Sequence, residues 1–130
     1  MLIAKGESVY ALVCAVCHQS SGLGSPGQYP PLVGSEWVVG SPARLIRIPL
    51  HGLAGPIQVK GQNWIGSMPA VGGGPPLDDD QNLAAVLSYI RSAWGNQAPP
   101  ISPDQVKAVR AETASRTAQW TEAELLKVAE

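Results

Sequence analysis

The spacing of hydrophobic residues predicts a helix at the start of the chain. In residues 3–17, the apolar side chains of Val9, Val13 and Val16 recur three or four positions apart, with Tyr10 alongside. This is the spacing of an amphipathic helix, whose apolar stripe faces a core. The two cysteines of the chain are therefore expected near the end of this helix.

A second and stronger helix is predicted in the stretch LDDDQNLAAVLSYIRSAWGN, which begins at Leu77. Asp78 is the expected N-cap, because Gln81 three residues later would complete a capping box. Acidic residues suit the first turn of a helix, and Gly95 is a typical stop.

The chain between these two helices is rich in turn-forming residues. Residues 20–40 combine many Gly, Ser and Pro residues with few periodic apolar positions, which predicts an extended loop. Ser41 and Pro42 then open a short helix, which Pro49 is expected to disturb. Residues 55–64, GPIQVKGQNW, alternate briefly between apolar and polar and predict a small hairpin.

Beyond the linker QAPPISP, the chain ends in a predicted helical extension, residues 99–130. Ser102 and Pro103 open one helix, and Thr121 with Glu124 forms a capping box for another. The apolar stripe of this extension needs burial. We therefore expect it to brace the rest of the chain, and a docking segment for a partner is the alternative.

The composition indicates one domain whose core contains few aromatic rings. The chain has 130 residues and no Phe, and aromatic residues make up 5%, although aromatic rings usually supply much of the burial in a small core. A large apolar cofactor would fill the same volume.

Charge and hydropathy exclude two classes of partner. The formal net charge is -1, and neither sign clusters enough to favour nucleic acid or an anionic membrane surface. No apolar run approaches the roughly 20 residues of a transmembrane segment. The first residues also lack the pattern of a secretory signal, so we expect an exported protein to be represented by its mature chain or an excised domain.

The motif CAVCH, with Cys14, Cys17 and His18, admits three chemistries. A thioredoxin-like dithiol expects a strand before the motif, whereas a helix is predicted here. Zinc needs four ligands, and the only other histidine is His51. CxxCH is the attachment signature of a c-type haem. Two thiols three positions apart reach the two vinyl groups on one side of the porphyrin as thioethers, and the adjacent imidazole reaches the iron.

A six-coordinate haem iron needs a second axial ligand, commonly Met or His. Apart from the terminal Met1, the chain offers Met68, which lies in the loop GSMPAVGGG. Met68 is the favoured ligand, although a loop Met also fills gaps in cores. His51 is the competing ligand, since imidazole binds haem iron equally well.

Four segments, GESVYALVCAVCHQ, YPPLVGS, SMPA and LAAVLSYIRSAWGN, resemble a class I cytochrome c over about residues 5–96. The resemblance implies an all-α cytochrome c fold wrapped around one covalently bound haem. Residues 1–98 would form the haem domain, and residues 99–130 a C-terminal helical extension packed on it. It also implies that Gly6 and Tyr10 on the first helix cross the last helix of the haem domain, where the matching positions are Val86, Tyr89 and Ile90.

The resemblance implies further contacts to the haem. Pro30 matches the proline whose carbonyl accepts a hydrogen bond from the proximal imidazole, with Pro31 leaving the register open by one residue, and Leu32 matches a residue that packs on the ring. Trp64 matches a Trp whose indole donates to a haem propionate. The plainer interpretations are a stiff loop for the prolines and a core residue for Trp64.

The predicted function is therefore single-electron transfer without catalysis, through haem c held by Cys14 and Cys17 with His18 and Met68 as metal ligands. SPARLIRIPLHGLAGPIQVKGQNW followed by MPA also resembles haem domains of large bacterial secreted or membrane-associated dehydrogenases, some of them quinoprotein-like. This implies a redox partner such as a dehydrogenase or terminal oxidase, and a periplasmic or otherwise exported location.

Two other functions remain open from the sequence. In a ligand-binding or peroxide-reactive haem domain, the distal Met68 would be labile. In a helical interaction module, CxxCH would be accidental.

The charges around the predicted site bear on docking. Between Cys14 and Leu77 the charged residues are one acidic and three basic, a net of +2. We therefore expect a small and largely uncharged redox contact that depends only mildly on salt.

Overall fold

The architecture is taken from a computed structural model that describes residues 2–25 and 28–128. Seven α-helices and one hairpin are present in these ranges, and a π-helical turn, Tyr10–Cys14, joins the first two helices. The helices are α1 (Leu2–Val9), α2 (Ala15–His18), α3 (Glu36–Val39), α4 (Pro42–His51), α5 (Asp80–Ser92), α6 (Pro103–Glu112) and α7 (Glu122–Leu126). The strands are β1 (Leu53–Val59) and β2 (Gln62–Met68). Within the described ranges, no helix combines the length and apolarity needed to cross a membrane.

Helices α1 and α5 cross where α1 carries a glycine. A Cβ atom at Gly6 would overlap the backbone carbonyl of Ala85 and would lie 2.8 Å from Cβ of Tyr89. One turn further along, the Tyr10 and Tyr89 rings pack with their centroids 5.5 Å apart. The predicted crossing is therefore confirmed, and its closeness depends on the missing side chain at Gly6.

The core spreads outward from α5 because this helix is apolar on several sides. Its residues Leu83, Ala84, Val86, Leu87 and Ile90 are buried, together with Leu45 and Ile46 of α4 and Ile101, Val106 and Val109 around α6. The extension thus contributes side chains to the same hydrophobic cluster as the preceding helices.

A buried arginine of α5 holds three chain segments together. The Arg91 guanidinium donates from Nε to the Pro99 carbonyl (2.7 Å) and from Nη1 to the carbonyls of Val38 (2.9 Å) and Gly40 (3.0 Å). Burial lowers the pKa of Arg91, but a guanidinium keeps its charge in proteins. Charge-assisted bonds to carbonyl dipoles compensate this burial and fasten the linker after α5 to the end of α3.

The N-cap of α5 differs from the prediction by one residue. Asp79, not Asp78, caps the helix, because its carboxylate accepts from the backbone N–H groups of Gln81 (2.7 Å) and Asn82 (3.4 Å). Three consecutive aspartates made the register ambiguous, and the fold selects the one whose backbone is extended.

Two other helix predictions also need correction. Pro49 does not end α4, which continues to His51, since the missing N–H removes only one helical bond and the final turn closes through Gly52 N to the Ile48 carbonyl (2.7 Å). The loop of residues 20–40 contains the short helix α3, capped by the Ser35 hydroxyl.

The prediction of an all-α fold needs correction, because the predicted hairpin is present and is longer than expected. Strands β1 and β2 pair in antiparallel register from Leu53 opposite Met68 to Val59 opposite Gln62. The alternation of buried Ile57 and Val59 with exposed neighbours gives β1 one core face. The described chain is mostly helical with this one two-stranded sheet.

The C-terminal extension contacts both the helices and the hairpin. Leu125 of α7 is fully buried. The backbone of Trp120 pairs with the start of β1, donating to the Gly52 carbonyl (2.9 Å) and accepting from Ala54 N–H (2.9 Å). The extension therefore adds a short third segment to the edge of the hairpin.

Replacing Gly6 by Ala is expected to lower the free energy of unfolding by about 1–3 kcal/mol, because the added methyl forces α1 away from α5. Helix propensity alone would favour Ala by about 1 kcal/mol, so a loss identifies the close contact. Denaturant unfolding of the haem-loaded protein measures it.

The matched control is Gly73→Ala. A Cβ at Gly73 meets no described atom within 4 Å, so its effect should stay within about 0.5 kcal/mol. Equal stability of Gly6→Ala and the unmodified protein would contradict the close packing of the two helices.

Candidate functional site

A cleft bounded by apolar side chains lies between the CAVCH segment, the loop after it, the hairpin and α5. It consists of two adjoining cavities with empty volumes of about 780 Å³ and about 590 Å³, each counted with its part open to solvent. Their shared wall is formed by His18, Pro30, Leu53, Ile57 and Met68. Clefts that bind cofactors are mostly lined by apolar side chains with a few polar groups, as this one is.

His18 enters the cleft with a fixed tautomer. Its Nδ1 lies 3.0 Å from the Pro30 carbonyl oxygen, and because a carbonyl only accepts, Nδ1 carries the proton. Burial lowers the pKa of His18, against a smaller opposing effect of the bond to Pro30. The neutral imidazole therefore keeps the Nε2 lone pair available for a metal ion. The partner is Pro30 rather than Pro31.

The loop that carries Pro30 is held from two sides. Backbone bonds join Gly24 N–H to the His18 carbonyl (3.0 Å) and Leu32 N–H to the Gly22 carbonyl (2.7 Å). From the far end of α5, the Asn96 amide donates to the carbonyls of Leu32 (3.3 Å) and Ile90 (2.8 Å), and its Oδ1 accepts from the backbone N–H of Gly34 (2.8 Å).

Asn96 was not among the residues predicted for the site. It is buried and lines neither cavity, but its hydrogen bonds connect the loop of Pro30 to α5. From the sequence, an Asn next to Gly95 gives little indication of such a role, because Gly and Asn near a helix end usually serve only as caps.

Cys14 and Cys17, just before His18 in the chain, line different cavities of the cleft. Cys14 lines the larger cavity and Cys17 the smaller one. Burial, and secondarily Cys17, raises the pKa of Cys14 to about 11, so its thiol is protonated at neutral pH. Helical structure precedes the pair, unlike the strand expected before a thioredoxin-like dithiol. Within residues 2–25 and 28–128, no group of three or more His, Cys, Asp or Glu side chains is arranged to hold a metal ion.

Met68, the last residue of β2, also lines both cavities of the cleft. His51 does not line either cavity, because its ring turns towards the extension, where Nε2 lies 2.8 Å from the Thr113 hydroxyl. The Thr113 hydroxyl donates to the Val109 carbonyl (2.8 Å), so His51 Nε2 is the donor. Of the two competing residues, the fold brings Met68 into the same cleft as His18.

Leu32 and Trp64, the remaining predicted residues, also lie around the cleft. Leu32 lines the larger cavity and Trp64 the smaller one, where Trp64 pairs with Ile57 across the hairpin. The indole Nε1 of Trp64 is buried and has no hydrogen-bond partner among the described residues. An unpaired buried donor is costly, and an acceptor oxygen bound in the cleft would satisfy it.

The rim of the cleft is apolar and uncharged. No Asp, Glu, Lys or Arg is among the described residues that line either cavity. Tyr29 and Ile65 line the smaller cavity and are exposed, Ile65 to 78%. A contact surface of this kind offers apolar area rather than charge.

Comparison with known proteins agrees with this cleft. Residues 3–94 match the profile of the family described as cytochrome c. The chain belongs to the cytochrome c family. Its cofactor is accordingly haem c, bound covalently by the members of this family, and its function is electron transfer.

The relatives of this cytochrome are of two kinds. Cytochrome c-552 of Thermus thermophilus is 38% identical over 117 residues, which cover 83% of this chain and 86% of the relative. The fructose dehydrogenase cytochrome subunit of Gluconobacter japonicus is 40% identical over 111 residues, which cover 82% of this chain but 22% of that subunit. The cytochrome c subunit of alcohol dehydrogenase (quinone) of Komagataeibacter europaeus is 36% identical over 95 residues, with coverages of 72% and 19%. This cytochrome thus spans about a fifth of each dehydrogenase subunit.

The residues of the cleft fit a haem c. The cavity walls are mostly apolar, a His and a Met belong to the shared wall, and the buried Trp64 N–H has no hydrogen-bond partner among the described residues. The fit rests on this donor set and on the apolar lining.

Outside the cleft, His51 is expected to make stability depend on pH. Burial, and then the charges of Arg116, Arg110 and Arg47, lowers the pKa of His51 below 6.5. The unfolded chain therefore binds more protons than the folded one, and the free energy of unfolding falls as the pH drops through 6.5.

The matched variant is His51→Gln, whose amide still donates to Thr113 but does not titrate. Denaturant unfolding at about pH 7.5 and about pH 5.5 should show a shallower pH dependence for His51→Gln. Identical slopes for the two proteins would contradict the assignment.

Proposed function

We propose that this cytochrome binds one haem through thioethers to Cys14 and Cys17, with His18 as the proximal and Met68 as the distal axial ligand. The observation that carries the proposal is the shared wall of the two cavities, where His18 and Met68 enter one apolar cleft from different elements. His18 ends the CAVCH turn and Met68 ends β2, so two separate parts of the chain supply the two ligands.

The surrounding residues prepare these ligands. The Pro30 carbonyl accepts a hydrogen bond from His18 Nδ1–H, which fixes the ring orientation and raises the basicity of Nε2. Leu32 packs against one face of the cleft, and the unpaired Trp64 N–H donates to a propionate oxygen. Of these residues, Trp64 thereby gains the hydrogen-bond partner that the described chain does not give it.

Bound haem would supply reversible one-electron oxidation and reduction of its iron. The chain tunes this change through the two axial ligands, the apolar wall that excludes water, and the hydrogen bond from His18. If the protein supplies both axial ligands, no substrate would bind to the iron. Electrons would then enter and leave at the edge of the cleft near Cys17, Tyr29 and Ile65.

The redox partner proposed for this cytochrome is a dehydrogenase of the quinone-linked kind. The relatives with this role are cytochrome subunits of alcohol and fructose dehydrogenases. A terminal oxidase would be the corresponding acceptor. We place the protein in the periplasm or another exported location, because covalent haem attachment in bacteria occurs outside the inner membrane.

We also propose that residues 1–98 form the haem domain and residues 99–130 a brace for it. The support is the burial of Ile101 and Val106 in the common core, and of Leu125 in α7, which contacts β1. A segment used only for docking would have no reason to bury these side chains.

The visible spectrum tests the ligands. The ferric haem-loaded protein should show the weak long-wavelength band of Met-ligated haem, and Met68→Ala should abolish it because no other thioether lies in the described walls of the cleft. His51→Ala should retain the band, since His51 lies outside the cleft.

The opposite pattern, with the band lost in His51→Ala and kept in Met68→Ala, would refute the ligand assignment. A high-spin unmodified protein that binds carbon monoxide readily would favour the ligand-binding alternative. Absence of a Soret band after expression with haem maturation would exclude both.

The uncharged rim predicts how electron transfer responds to charge. Ile65→Lys and Ile65→Asp should both slow electron transfer from a quinone-dependent dehydrogenase by roughly threefold to tenfold, because each puts a hydrated charge into an apolar contact. The unmodified protein should change by less than about threefold between low and physiological salt. Stopped-flow reduction measures both.

Leu126→Asp is the control, since Leu126 is exposed but lines neither cavity of the cleft. If Ile65→Lys and Ile65→Asp changed the electron-transfer rate in opposite directions, or if the rate fell steeply with salt, long-range electrostatic attraction would control the encounter instead.

A further inference from the structure

The C-terminal extension makes a direct contact with the backbone of Met68. The Gln119 side-chain amide donates from Nε2 to the Met68 carbonyl (2.8 Å) and lies 2.8 Å from the hydroxyl of the neighbouring Ser67. Gln119 lies 51 residues beyond Met68 in the chain. This contact is therefore a tertiary one, made by the extension alone.

The same place is closely packed. Gly52 has φ +85, and a Cβ there would lie 2.5 Å from the Met68 carbonyl oxygen and 3.1 Å from Cγ of Gln119. Trp120 N–H donates to the Gly52 carbonyl (2.9 Å). The strand end that carries Met68, the turn at Gly52 and the extension thus meet with no room for a side chain at Gly52.

The extension presents Gln119 from a rigid turn. Arg116 donates from Nη2 to the Gln119 carbonyl (2.7 Å) and pairs with Glu124 (2.8 Å). Its guanidinium also stacks over the Trp120 ring, 3.6 Å from the centroid. These contacts fix the backbone of Gln119, so its amide acts as an anchored donor rather than a free surface side chain.

We propose that Gln119 is a positioning residue for the distal ligand, and that the extension limits the release of Met68 from the haem iron. The inference rests on the proposed ligation by Met68. By fixing the Met68 carbonyl, Gln119 restricts the backbone from which the thioether reaches into the cleft.

The physical reason lies in the position of Met68 within the hairpin. Met68 is the last residue of β2, paired with Leu53, and residues that follow it are Pro69 and a glycine-rich loop. A strand end followed by such a loop is held weakly by its own ladder. The bond from Gln119 adds a constraint where the ladder ends.

Three variants of the haem-loaded protein test the proposal. Gln119→Glu keeps the size of the side chain but removes the donor, since an ionised carboxylate only accepts. Ser67→Ala removes the second contact of Gln119 and keeps the bond to Met68. Gln97→Ala is the control, because Gln97 is exposed and has no side-chain hydrogen bond to any described residue.

The measurements are the rate of carbon monoxide binding to the ferrous protein, the long-wavelength band of the ferric protein and the reduction potential. Loss of one hydrogen bond is expected to raise the carbon monoxide binding rate of Gln119→Glu by about fivefold, with a weaker ferric band and a lower potential. Ser67→Ala and Gln97→Ala should match the unmodified protein. Denaturant unfolding checks that all variants remain folded.

The outcomes separate the two proposals. If the unmodified protein shows the band and Gln119→Glu equals it in rate, band and potential, the positioning role is refuted while ligation by Met68 stands. If the unmodified protein lacks the band, the ligation itself fails. Equal changes in Gln119→Glu and Ser67→Ala would also refute the role of the bond to the Met68 carbonyl.

Discussion

The close crossing of α1 and α5 is the constraint on which the rest of the fold depends. Because Gly6 has no side chain, the two backbones meet at Ala85, and the CAVCH segment that follows α1 is placed beside the cleft. Asn96, four residues after the end of α5, fastens the loop of Pro30. One helix pair therefore determines where the imidazole stands and which carbonyl orients it. Separating the helices would move both together.

The part of the cleft that carries Met68 has a different origin. Here the hairpin ends at Met68, and the extension supports that end through Gln119 and the backbone of Trp120. The two sides of the cleft thus differ in how far apart in the sequence their residues lie. The proximal side is made from residues near the motif and from α5, whereas the distal side depends on segments about 50 residues apart.

Secondary structure and helix caps could be predicted from the sequence, whereas contacts between residues distant in the chain could not. The helix periodicity, the caps Ser41, Ser102 and Thr121, and the hairpin follow from residue patterns within a few positions. The capping-box spacing to Gln81 predicts Asp78 as the cap of α5, whereas Asp79 caps it, because adjacent carboxylates are distinguished only when the backbone is fixed. His51 resembled a possible ligand because the sequence does not reveal that Thr113 lies beside it. Gln119 gave no signal, since a Gln that bonds a distant carbonyl looks like any solvent-facing Gln.

The uncharged rim has a kinetic consequence. Without long-range attraction, productive encounters depend on how often partners meet by diffusion, in the range of about 10⁵–10⁶ per molar per second for neutral surfaces. A covalent or permanent tether replaces attraction by an effective concentration in the millimolar range. At a rim without charge, proximity to a partner therefore changes the encounter rate more than ionic strength does.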